Sequence, residues 1–234
     1  MPPDVGVVVV AAGRGERCGS ELPKQFRPLA GVPLLLHALR PFLSHPAVAR
    51  VIAVLPEAEA TTPPPWLAEL LGERLQSVAG GAERMDSVEA GLRVLPDSCS
   101  IVLVHDGARP FPEAVLIDAV LAEARRGVGA IAAVPVSDTL KEAGLVEQSL
   151  PAPVLRTVPR ATLWRAQTPQ GFPRAMLEDA FARARSAGLV ATDEAELVEQ
   201  AGGKVVLIPD SSLNLKVTTP EDFRLAEALA QARR

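Results

Sequence analysis

The chain has no tyrosine, 2 cysteines and 4 lysines in 234 residues, and aromatics make up 3% of it. Cys18 and Cys99 form neither a disulfide framework nor a zinc-ligand spacing. No apolar run approaches the length of a membrane span, and Met1-Pro2-Pro3-Asp4 lacks the basic and apolar regions of a secretory leader. The expectation is a cytoplasmic protein with no membrane partner. A net charge of −4 argues against a general nucleic-acid binder, so any site for an anion must be a local cluster of cations. The shortage of lysine sharpens the search for one. Arginine outnumbers lysine 20 to 4, leaving only Lys24, Lys141, Lys204 and Lys216. A lysine is a compact point charge suited to phosphate, whereas an arginine is a planar fork.

What is present is an alternation of strand and helix patterns. Apolar runs mark strands at Val5–Ala11, Arg50–Leu55, Leu75–Val78, Ile101–His105, Ala130–Val134 and Lys204–Ile208. Helical stripes fall between and after them, at Leu34–Leu43, Trp66–Leu71, Ser87–Leu95, Glu113–Arg126, Arg174–Ala187, Glu194–Ala201 and Glu221–Ala232. This predicts an α/β fold, a mostly parallel sheet with helices on both faces, within one domain over residues 1–234. Such sheets bind ligands beyond the carboxyl ends of their strands. Thr139–Pro159 breaks the pattern: it carries no helical stripe and reads either as a long loop or as a projecting β-arm through which two copies would dimerise.

The first strand runs into Ala11-Ala12-Gly13-Arg14-Gly15-Glu16-Arg17-Cys18-Gly19 and then Leu22-Pro23-Lys24-Gln25-Phe26. Glycines there let backbone N–H groups face an anion, and Arg17 and Lys24 add two cations beside them. The loop is neither of the familiar phosphate loops. Cys18 stands where a dinucleotide fingerprint needs its third glycine, and no Gly-Lys-Ser/Thr closes the run. A nucleoside triphosphate is the guest that this combination suggests.

Further motifs follow the other strands. Gly80-Gly81-Ala82-Glu83-Arg84-Met85-Asp86-Ser87 offers close approach to a flat base, with Ser87 as helix N-cap and ligand contact. His105-Asp106-Gly107-Ala108-Arg109-Pro110 places a carboxylate at a strand end, where it could hold Mg2+ together with phosphate oxygens, and an arginine that could grip an anion. His105 reads as a packing or orienting residue. Arg160 follows the arm, and then come Thr168-Pro169-Gln170, Thr192-Asp193-Glu194 and Asn214-Leu215-Lys216-Val217-Thr218-Thr219-Pro220. Thr218 or Thr219 starts the last helix, with Pro220 at its first position.

Taken in order from about residue 5 to 227, these motifs resemble the 2-C-methyl-D-erythritol 4-phosphate cytidylyltransferase family. The resemblance implies a Rossmann-like domain with a β-arm over about residues 137–160, a homodimer, Mg2+, and transfer of CMP from CTP to methylerythritol phosphate. By resemblance, Arg17 and Lys24 stabilise the triphosphate, and Lys216 contacts the α-phosphate. Arg160, from the partner's arm, holds the substrate phosphate, with Arg109 and Thr139; Thr168 and Thr192 also match substrate contacts. Ala11, Ala12, Gly13, Gly81 and Ser87 match cytosine and ribose contacts, and Asp106 lies by the metal or ribose. Gly107 departs from the family's alanine, and Pro159 stands where some members carry an acidic residue. A ribitol-5-phosphate cytidylyltransferase and a non-catalytic nucleotide-binding module are the rival readings.

Overall fold

Each long apolar run becomes a strand because both faces of the sheet are covered, so every side chain along it can be buried. The computed structural model describes residues 2–13, 23–144 and 152–233. In chain order they form β1 (Val5–Val10), a 3-10 turn (Lys24–Phe26), β2 (Pro28–Leu29), β3 (Val32–Pro33), α1 (Leu34–Ser44), β4 (Val48–Leu55), α2 (Glu57–Thr61), α3 (Pro65–Ala68), β5 (Leu75–Ala79) and α4 (Arg84–Arg93). The second half continues with β6 (Ile101–Asp106), α5 (Ala114–Arg125), β7 (Gly129–Pro135), β8 (Leu140–Ala143), β9 (Val154–Val158), β10 (Trp164–Pro173), α6 (Arg174–Ala187), α7 (Glu194–Gln200), β11 (Val205–Pro209) and α8 (Pro220–Ala232).

The main sheet has seven strands in the order β11-β7-β10-β6-β1-β4-β5. Its neighbours pair in parallel except at β10, which runs antiparallel to both β6 and β7. The result is the mostly parallel Rossmann-like α/β fold expected, with one inserted strand that the apolar runs do not mark. Side chains alternate along β1. Val5, Val7 and Val9 join a cluster with Leu35, Leu39 and Phe42 of α1 and with α5. Val8 faces a second cluster built from α4, β10, α6 and α7, including Val88, Phe172, Leu177 and Leu197. Full burial of one such side chain stabilises by roughly 1.5–3 kcal/mol, and both layers depend on that alternation.

Strand order reverses at β1: β4 and β5 lie on one side of it and β6 on the other. The carboxyl ends of β1 and β6 therefore open a crevice, the usual ligand position of such sheets. The uncertain segment is a β-arm: β8 and β9 pair antiparallel with each other, and residues 145–151 lie outside the described residues.

Candidate active site

Val10 pairs with Asp106, so the chain leaves β1 beside the carboxylate that ends β6. Gln25, only 2% exposed, anchors that exit: its side-chain amide donates to the carbonyls of Ala11 at 2.8 Å and Gly13 at 3.2 Å. The neighbouring Lys24 thereby lines the cleft, where its Nζ donates to the Val217 carbonyl at 2.8 Å. Arg17 lies outside the described residues.

On the opposite wall, Gly81 donates its N–H to Ser87 Oγ at 3.2 Å. Ser87 is not the N-cap of α4. Glu83 holds that position through a reciprocal capping box with Asp86, because an acidic pair three residues apart satisfies both orphan donors at once. Ser87 instead lies within the first turns, buried, with its hydroxyl turned back to the loop that carries Gly81. A Cβ on Gly107 would lie 2.9 Å from that of Ala11, so the alanine of the family pattern would crowd the exit of β1 here.

Asp106 is the centre of the site. Its Oδ1 accepts from Arg84 Nη2 at 3.3 Å and Nε at 3.4 Å. Its Oδ2 lies 2.8 Å from Lys216 Nζ and 3.7 Å from Arg109 Nε. Burial works against the Asp106 charge, but Arg84, Lys216 and Arg109 outweigh it and hold the carboxyl well below the usual carboxylate range. Its N–H donates to Thr168 Oγ1 at 3.0 Å, so Thr168 positions the turn as well as lining the site. His105 is fully buried between Thr168 Oγ1 and the Arg109 carbonyl, and burial pushes its pKa down to about 4. It is a neutral orienting group, as its place within a strand suggests.

Arg109 is mostly committed to structure. Its Nη1 donates to the Asn214 carbonyl at 2.7 Å, which Gln167 Nε2 also reaches at 3.1 Å. Asn214 in turn donates to the Thr168 carbonyl at 2.8 Å and to Asp210 at 2.7 Å. Together with Val217 N–H on the Ala108 carbonyl at 2.8 Å, these bonds fix the segment carrying Lys216. Of the four lysines, Lys24 and Lys216 line the cleft, whereas Lys141 bonds Thr157 within the arm at 2.6 Å.

Two clefts meet at Asp106. The first, about 260 Å³, is lined by Ala11, Ala12, Gly13, Lys24 and Gly81 among others. The second, about 230 Å³, includes Arg109, Gln167, Thr168, Thr192 and Asp193. Arg84, Asp106 and Lys216 line both, so they form the shared wall. Thr139 and Arg160 lie apart from it. Both are exposed at the base of the arm, where Arg160 donates to the Ser137 carbonyl. The motifs assign no role to Arg84 or to its partner Glu194. Arg84 lies inside the glycine-loop motif and Glu194 closes Thr-Asp-Glu, but a charge pair 110 positions apart leaves no local signature.

Comparisons with known proteins point to one family. The sequence model described as "IspD: 2-C-methyl-D-erythritol 4-phosphate cytidylyltransferase" matches residues 5–232. A protein of that name from Salinibacter ruber is 42% identical over 226 residues, covering 96% of this chain and 92% of the relative. A bifunctional enzyme IspD/IspF from Desulfotalea psychrophila is 43% identical over 222 residues, 94% of this chain and 55% of that protein. The chain thus spans about half the length of its bifunctional relatives. The crystal structure of 2-C-methyl-D-erythritol 4-phosphate cytidylyltransferase from Thermus thermophilus superposes with a TM-score of 0.80 at 36% identity, over 97% of this chain and 99% of the other.

Proposed function

The chain belongs to the 2-C-methyl-D-erythritol 4-phosphate cytidylyltransferase family, and from that premise we propose that it transfers CMP from CTP to methylerythritol phosphate, releasing pyrophosphate. The observation that carries this reading is the shared wall: two clefts separated by one carboxylate and its cations, as two anionic substrates require. The first cleft takes CTP, with its base against Gly81 and Ser87. The second takes the polyol phosphate beside Thr168 and Thr192. The whole chain, 1–234, acts as one nucleotidyltransferase domain.

The reaction is an in-line displacement. An oxygen of the acceptor's phosphate attacks the α-phosphorus of CTP while the bond to the bridging oxygen breaks and pyrophosphate leaves with its electron pair. The nucleophile is already an anion near neutral pH, so no side chain has to remove a proton. The barrier is one of charge, and alignment with electrostatic stabilisation lowers it. Lys24 and Arg17 meet the charge of the triphosphate, and Lys216 meets the α-phosphate at the shared wall.

Asp106 is the carboxylate expected to meet Mg2+, a hard cation that takes one or two carboxylates with phosphate oxygens and water, but Arg84 holds one of its oxygens and Lys216 the other, so it does not fit as a ready metal ligand. Among the described residues no three His, Cys, Asp or Glu side chains form a metal cluster. A bound ion would neutralise charge on the triphosphate.

A homodimer completes the site. Val154 and Leu155 on β9 are 61% and 62% exposed, an apolar edge that a second copy would cover. Arg160 and Thr139 then reach the acceptor cleft of the opposite subunit. Cytoplasmic residence fits the reading, and among the described residues no helix is long and apolar enough to cross a membrane.

Pyrophosphate release tests the assignment, measured with CTP against methylerythritol phosphate and ribitol 5-phosphate in turn. Turnover with methylerythritol phosphate is expected. Turnover with ribitol 5-phosphate alone moves the acceptor, and release with neither leaves a nucleotide-binding module.

A further inference from the structure

Arg84 opens α4 on the nucleotide side, and Glu194 opens α7 directly after the Thr192-Asp193 wall of the acceptor cleft. Glu194 is 1% exposed, and both its oxygens accept from Arg84 Nη1, at 2.7 and 2.9 Å. The remaining nitrogens of the guanidinium, Nη2 and Nε, reach only one oxygen of Asp106, Oδ1. Lys216 takes the other, Oδ2. The plane of a carboxylate can turn about its Cβ–Cγ bond; the planar guanidinium, itself clamped by a buried carboxylate, removes that freedom.

Resting on the cytidylyltransferase reading, we propose that Arg84 and Glu194 are positioning residues that fix the plane of the Asp106 carboxylate, one oxygen on Arg84 and the other on Lys216, and so hold the nucleotide and acceptor clefts at a fixed spacing. The pair is poorly explained as a source of stability. Replacing a buried ion pair by apolar residues of similar volume is often neutral or stabilising, whereas removing one partner strands the other charge. The loop bearing Glu194 is held on its other side as well. Gln170 donates to Asp193 at 2.8 Å and accepts from the Ala195 N–H at 3.2 Å, so α7 stays docked on β10 whatever happens at Arg84. The pair therefore connects the two sides of the wall through Asp106.

The decisive variant is the double replacement Arg84→Met with Glu194→Leu, assayed beside Arg84→Lys and the parent. Arg84→Lys keeps the charge but offers a single ammonium that cannot span Glu194 and Asp106. The double variant is expected to melt within about 4 °C of the parent. Its affinity for CTP, titrated calorimetrically without acceptor, and both KM values should change by a smaller factor than kcat. Its kcat should fall at least about tenfold, since a misplacement of about 1 Å at a reacting centre costs up to a hundredfold. Arg84→Lys should lose kcat to the same extent. A folded double variant with kcat within about twofold of an active parent overturns the proposal alone. If the double variant does not fold, parent-like kcat in Arg84→Lys overturns it instead. A parent that releases no pyrophosphate with either polyol phosphate overturns the functional reading and this proposal with it.

Discussion

Asp106 and Arg160 are both charged and both expected at the reaction centre, yet their surroundings differ completely. Asp106 ends a central strand, is 7% exposed, and has Arg84, Lys216, Arg109 and Thr168 fixed around it by further bonds. Arg160 follows an arm whose two strands pair with each other and expose Val154 and Leu155, and its bond among the described residues is to the neighbouring Ser137 carbonyl. The floor around Asp106 is built within one chain, whereas the arm carries Thr139 and Arg160 on a support that buries little of its own surface. Preorganised charge belongs on rigid elements. A residue on such an arm becomes part of a site only when another surface receives it.

The contrast predicts where each substitution acts. Lys24→Ala, on the floor, should cut kcat by at least about 10²-fold, the scale of losing one transition-state donor; steady-state kinetics giving unchanged kcat would sink the mechanism. Arg160→Ala should leave the floor intact and raise KM for the polyol phosphate by about tenfold or more, as for one charge-assisted hydrogen bond. Mixing the two variants sharpens the test. A dimer of one Lys24→Ala and one Arg160→Ala subunit regains one whole site if the arm works across the interface, and none if it works within its own chain. Gly81→Ala would set a Cβ 2.3 Å from that of Asp86, in the capping box of α4. Overpacking of this kind costs about 1–3 kcal/mol, read as a lowered melting temperature with a raised KM for CTP.

The smallest effect tests the segment behind Lys216. Asp222 accepts from Thr218 N–H and Oγ1 at 2.9 and 2.6 Å and from Thr219 N–H at 2.8 Å. Burial opposes its charge, but these hydrogen bonds outweigh it and lower its pKa. Asp222→Ala should therefore cost about 1 kcal/mol at neutral pH. A depressed folded pKa contributes stability above the ordinary value near 4, and that contribution is lost as pH falls through the folded one. Denaturation midpoints of parent and variant should differ at pH 7 and converge in strong acid.

Much of this molecule can be read along the chain. The runs that form β1, β4 and β6 are apolar on both faces, and the Thr219–Pro220 cap of α8 is local. The exception in the sheet is β10. Gln167, Thr168 and Gln170 are buried within it, and Pro169 falls where its pairing with β7 shifts register, between Ala166 and Gln170. Buried polar side chains there are tied to distant groups, Asp106, Asn214 and Asp193, so neither an apolar run nor an alternation marks the strand. Ser87 is legible as a contact of the Gly81 loop but not as a residue inside the helix, because the acidic pair Glu83 and Asp86 competes for the same cap. Cations grouped around one carboxylate are partly legible, since Lys24, Arg109 and Lys216 sit in recognisable motifs. Arg84 and Glu194 are not, because their roles depend on how α4 and α7 meet.

The place of β10 also bears on how the chain is made. It is the tenth strand to be synthesised, yet it fills the gap between β6 and β7. Until residues 164–173 leave the ribosome, β6 keeps one open, hydrogen-bonding margin and β7 has no partner in the main sheet, because β11 follows later still, so the nascent chain must keep both from joining anything else. The same strand sets Thr168 against Asp106 and Gln167 on the Asn214 carbonyl, so joining β7 to the sheet and seating the segment that carries Lys216 both wait for β10, late in synthesis.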